Sequence, residues 1–219
     1  MMLRIAAAAV VAVPSSFASA QTSIRYDFTL EVTSNNMMTG APGNTFAGVA
    51  VGAFGVLSIE ASSTPFPDIH DPTFDSYPIL ATSGSIDGID LLLDQSGFPS
   101  TSFFTGLGVT NDGAGGLNPI DIMAAVTPST RPDLAFNLLT FAGFDDSSGP
   151  GLWGSTALPT SIDAASIRSG GYTIEAPGSV NGSGQLRTII TDVQVTLIPA
   201  PASSLALGGA MLLVARRRR

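Results

Sequence analysis

Cysteine and lysine are absent from this 219-residue chain, and histidine and tryptophan each occur once. Without cysteine there are no disulfides and no thiolate metal sites, so stability has to come from a packed core. Without lysine, neither Gly113-Ala114-Gly115-Gly116 nor Gly182-Ser183-Gly184 completes a phosphate loop, and both read as turns. Positive charge is scarce as well. Five of the nine basic residues are Arg4 and Arg216 to Arg219. Between them, Arg25, Arg131, Arg168 and Arg187 face all seventeen acids, a net charge of about −13. Such a surface repels phosphate backbones, which argues against nucleic acid as a partner, and it disfavours anionic lipid. It suits divalent cations and solubility outside a cell.

The apolar runs are short and lie at the ends. Arg4 precedes the apolar stretch Ile5 to Val13, and Ala18-Ser19-Ala20 follows as a small-residue cleavage site. These are the three parts of a secretory signal peptide, residues 1–20, which places the mature start at Gln21 and names the Sec translocase and signal peptidase as partners. At the other end, Pro199-Ala200-Pro201 breaks the chain ahead of the uncharged run Leu205 to Ala215, and Arg216, Arg217, Arg218 and Arg219 close it. As a helix that run is about 16 Å long, against a hydrocarbon core of about 30 Å. Gly208-Gly209 weakens it further. A short, weak, basic-ended helix behind a proline break suits a sorting signal that pauses in a membrane and is then removed. The alternative is a plain C-terminal anchor helix with a positive-inside flank.

The order of these parts, with Ser203-Ser204-Leu205-Ala206-Leu207-Gly208 following the prolines, resembles the PEP-CTERM sorting signal read by exosortases. Ala200 stands where the name-giving motif has Glu, which bears on the exosortase subtype. The interior layout is similar to that of strand-rich PEP-CTERM proteins: Ser155 to Pro159, then Tyr172 to Glu175, then Ile189 to Leu197. The resemblance implies an exported protein, briefly membrane-anchored, that an exosortase-like enzyme processes and that accompanies exopolysaccharide and biofilm.

Residues 21–198 are rich in strand signals. Ile24 to Val32 alternates apolar and polar residues, as Val56 to Glu60 and Leu186 to Leu197 do. Ile79 to Ala81, Ile89 to Leu93, Phe103 to Thr110, Leu134 to Phe141 and Tyr172 to Glu175 are further strand candidates. Ile120 to Val126 reads as a strand or a single helical turn, and Ser161 to Ile167 as one short turn. Turn clusters divide these runs, and no long 3.6-period segment separates them. The expectation is all-β, with residues 21–198 forming a single β-sandwich or jelly-roll domain and residues 199–219 a hydrophobic sorting helix.

Few residues invite chemistry. His70 lies between Asp68 and Asp71 in a proline-rich stretch and reads as an exposed loop residue rather than a general base, since no nucleophile elbow accompanies it. Asp68, Asp71 and Asp75, or Asp87, Asp90 and Asp94, or Asp145 and Asp146, offer oxygens to calcium, but no EF-hand loop is formed. Solvated turn aspartates are the plainer reading. Trp153, between glycines, is either a stacking platform for a sugar or a cap on the core. The expectation is therefore a non-enzymatic surface or matrix protein without a cofactor. A carbohydrate-binding module using Trp153, with or without calcium, is the alternative, and a jelly-roll hydrolase is a third reading.

Overall fold

The computed structural model describes residues 22–41, 43–66, 70–71, 73–94, 106–111, 120–144, 153–167, 169–179 and 183–199. All of them belong to one compact unit. The elements are strands β1 (Ser23–Asn35), β2 (Phe54–Ser62), β3 (His70–Asp71), β4 (Phe74–Ile86), β5 (Ile89–Asp90), β6 (Gly106–Thr110), β7 (Ile120–Val126), β8 (Phe136–Phe144), β9 (Ser169–Glu175) and β10 (Gln185–Ile198), with single helical turns at Met37–Gly40, Thr45–Gly48 and Ala164–Ser166. The protein is all-β.

The strands form one antiparallel sheet in the order β2-β1-β10-β9-β8-β7-β6-β4-β3, and β2 also pairs with β4. That last pairing returns the path to its start, so eight strands form a curled, closed ring. β4 makes one corner. Its first part, Phe74 to Pro78, pairs with β6, and Ile79 to Ile86 pairs with β2, with a register shift beside Ala61. Pro78, which has no N–H to give to a ladder, sits where the strand changes partner. β10 makes the other corner. It runs beside β1 from Leu186 to Ile198 but meets β9 only over Gln185 to Arg187.

Apart from the short β3 and β5, and the pairing of the first strand β1 with the last strand β10 that closes the ring, each strand's neighbours in the ring are its neighbours in sequence. This meander corrects the jelly-roll expectation, which requires Greek-key crossings. Between β4 and β5 the chain turns tightly: Asp87 and Gly88 both take positive φ, 53° and 74°, as a two-residue hairpin demands. Ile120–Val126 is a strand, and Ser161 to Ile167 contains one 3₁₀ turn. The separate short runs expected around residues 79–93 are instead one 13-residue strand and a two-residue partner.

Alternation decides which side chains fill the ring. Ile24, Tyr26, Phe28, Leu30 and Val32 of β1 are buried, as are Leu57, Ile59, Leu107, Val109, Met123, Tyr172, Ile174 and Leu186 from other strands. Each large apolar side chain so buried contributes about 1.5–3 kcal/mol. The intervening β1 residues Arg25, Asp27, Thr29 and Glu31 face outward and are polar. A lipid-facing barrel has the reverse pattern.

Chain segments stop both ends. At one, the β1–β2 connection brings in Met37, Phe46 and Val49, all buried. It is tied to the β7–β8 connection through Arg131, whose guanidinium lies 5.2 Å from the Phe46 ring centroid and pairs with Asp133 at 3.0 Å. The Thr45 N–H also donates to Asp133, at 3.1 Å. The Arg131 hydrogen bond, with those from Thr45, holds the Asp133 carboxyl well below the usual carboxylate range. A depressed carboxyl adds stability that is present above its unfolded value and lost as pH falls through its folded one. Asp133→Asn is therefore expected to cost about 1 kcal/mol near neutral pH, allowing for solvent screening. The difference between the urea midpoints of variant and parent should close as pH falls below about 4.

Candidate functional site

The opposite end is stopped by residues 153–159, part of the β8–β9 connection, and this is where Trp153 lies. It is 9% exposed and belongs to the core. Its indole N–H donates to the Thr110 carbonyl at 2.7 Å, and its backbone N–H donates to buried Asp121 at 3.0 Å. Leu158 and Pro159 of the same segment are buried as well. The Tyr26 hydroxyl donates to the Pro159 carbonyl at 2.8 Å, the Tyr77 hydroxyl to the Thr156 carbonyl at 2.9 Å, and the Thr156 hydroxyl to Asp75 at 2.5 Å. Stacking on a sugar needs an exposed ring face, and Trp153 keeps only 9% of its surface open. The platform reading is corrected: this tryptophan caps the core.

Among the described residues the aspartates do not converge. His70 and Asp71 form β3, their backbones opposite Asp75 and Phe74, while Asp68, Asp145 and Asp146 lie outside the described residues. Asp87 is in the β4–β5 turn, and one Asp90 carboxylate oxygen accepts the Leu92 N–H at 2.9 Å. Among the described residues no group of three or more acidic or histidine side chains is placed to hold a metal ion. Of the terminal motifs, only Pro199 is described, one residue beyond β10. Ala18, Ala20, Gln21, Ala200, Pro201 and Arg216 to Arg219 lie outside the described residues. No helix among the described residues is long and apolar enough to cross a membrane.

What the strands do assemble is a shallow groove of about 590 Å³ on the outer face of β10, β1, β2, β4 and β5, lined by Asp27, Ser58, Ser83, Ser85, Asp90 and Gln194 among others. Register explains it. Asp27 stands opposite both Gln194 and Ser58, and Ser58 opposite Ser83, which makes one cross-strand row. The next row runs from Asp192 through Thr29, Val56 and Ser85 to Asp90. Short side chains on β2 and β4 leave the hollow. The Ser58 hydroxyl donates to one Asp27 oxygen at 2.6 Å, and the Arg25 Nε donates to the other at 3.1 Å, which orients that carboxylate.

Sequence reading weighs Asp90 only as an oxygen donor to calcium and leaves Ser83 and Ser85 to a turn between two strand runs, while Asp27, Ser58 and Gln194 are the polar beats of ordinary alternating strands. The usable signal is that those positions on β2 and β4 are serines rather than long charged side chains. No family model, curated protein or solved structure matches the chain.

Proposed function

We propose that this is an exported, non-catalytic surface or extracellular-matrix protein, trimmed at both ends and tied to exopolysaccharide. Its leader leaves after Ala20 and its tail is cut by an exosortase-like enzyme at Pro199 to Pro201. The observation that carries this reading is the outermost rung of the β1–β10 ladder, Ser23 opposite Ile198. Both cuts fall just outside that rung, so processing leaves β1, β10 and the described core residues in place. The ends of the folded body lie side by side, and Pro199 is exposed where the motif begins. A filled interior and a polar outer face on β1 agree with a body that works through its surface.

The arginine cluster provides the test. Replacing Arg216, Arg217, Arg218 and Arg219 by serine is expected to leave the chain exported but uncut in the envelope fraction, while the parent chain is shortened and leaves that fraction. Identical length and partition of parent and variant would contradict the sorting reading.

A further inference from the structure

We propose that the outer-face groove binds an amino-bearing, polycationic glycan. This deepens the reading above and rests on it for the setting in which a glycan is met, although the groove stands without it. Charge is the first argument. The outer face of β10, β1, β2 and β5 carries five carboxylates, Asp27, Glu31, Glu60, Asp90 and Asp192, against Arg25 and Arg187 toward its opposite ends. The described residues that line the groove include Asp27 and Asp90 and no basic side chain; Arg25, outside that lining, pairs with one Asp27 oxygen at 3.1 Å. A polyuronate or phosphate chain is repelled by this face, whereas ammonium groups find paired, hydrogen-bonding acceptors.

Hydrogen-bonding character is the second. The hydroxyls of Ser83 and Ser85 and the amide of Gln194 both donate and accept, as sugar hydroxyls do. The groove presents side chains of paired strands rather than an open backbone edge, which disfavours an added peptide strand.

Shape and apolar surface are the third. The row Gln194–Asp27–Ser58–Ser83 crosses four strands, three spacings of about 4.8 Å, enough for a short run of sugar rings. Val56 lies in the floor, and Phe54, two residues earlier on the same strand face, is 62% exposed. Together they give the C–H face of a ring a place to rest. The aromatic in this role is Phe54 rather than Trp153.

The test is retention of the protein, as recovered from its host, on beads of partly deacetylated glucosamine polymer (chitosan) at mildly acid pH. The fully N-acetylated polymer and a polyuronate serve as comparisons. Asp27→Asn with Asp90→Asn is set against Asp163→Asn with Glu175→Gln, which removes the same charge from outside the groove. Ser83→Leu fills the floor at an exposed position, and the thermal transition of each variant checks its fold. Binding should favour the amino polymer and fall about tenfold or more in the groove pair and in Ser83→Leu. The control pair should change it less than about threefold. No retention, preference for the polyuronate, or equal loss in the groove and control pairs would overturn the proposal. The assay does not depend on trimming. Retention by a chain that still carries Arg219 would leave the groove standing and sink the sorting reading alone.

Discussion

Gly171→Ala is expected to destabilise the domain by about 3 kcal/mol or more, enough to leave much of it unfolded or insoluble. A methyl group at this position would lie 1.6 Å from the backbone oxygen of Thr188, 2.5 Å from its carbonyl carbon and 3.1 Å from the Ile189 Cα. All three are backbone atoms and cannot rotate aside. The crowding marks the place where β9 and β10 separate. Beyond Arg187 their ladder ends, and the Thr188 hydroxyl takes over, accepting from the Tyr172 N–H at 2.9 Å and donating to the Tyr172 carbonyl at 3.0 Å. Forcing the strands apart would break that local lock and open one corner of the ring. Urea unfolding measures the effect. Gly154→Ala, with nothing within 4 Å of its added methyl, should stay close to the parent. A Gly171→Ala protein with the parental midpoint would mean that the close approach of β9 and β10 is wrong.

The second large effect is alkaline. All three tyrosines of the protein, Tyr26, Tyr77 and Tyr172, are buried at 3% exposure or less. Their hydroxyls meet the Pro159 carbonyl, the Thr156 carbonyl and the Thr127 hydroxyl. Burial raises each phenol. Tyr77, with the nearby Asp75 charge adding to the effect, is pushed up to about 12, and Tyr26 and Tyr172 are raised further. A raised phenol adds stability that is fully present below its unfolded value near 10 and is lost as pH rises through the folded one. For Tyr77 alone this is of order 2 kcal/mol. Phenolate absorbance of the folded protein should therefore stay flat through about pH 10 and then rise in one cooperative step, together with loss of the far-UV signal. In denaturant the three should titrate independently near 10. A tyrosine that ionises reversibly near 10 in the folded protein would contradict its placement.

The strands were legible in the sequence because half-buried strands leave a period-2 record. Ile24 to Val32 and the β10 run show it plainly. The closure of the ring was not legible. Alternation tells which residues face inward but not which strand lies alongside, and a meander and a Greek key share the same pattern. The pairing of β2 with β4 depends on a change of partner at Pro78, and proline more often signals the end of a strand. Trp153 was ambiguous for a physical reason too. Glycines around an aromatic fit both an exposed loop and a tight strap over a core, and the choice rests on Thr110 and Asp121, which are distant in sequence. The groove is hidden for the same cause. Asp27, Ser58, Ser83 and Gln194 belong to four strands, and only register makes them neighbours.

The central claim is that the folded body is what remains after both ends are removed, and the intact mass of the protein recovered from its host tests it most directly. The account predicts a polypeptide that begins at Gln21 and ends within Pro199 to Pro201, with any added mass reporting what was attached there. A mass that retains Met1 or Arg219 would contradict it.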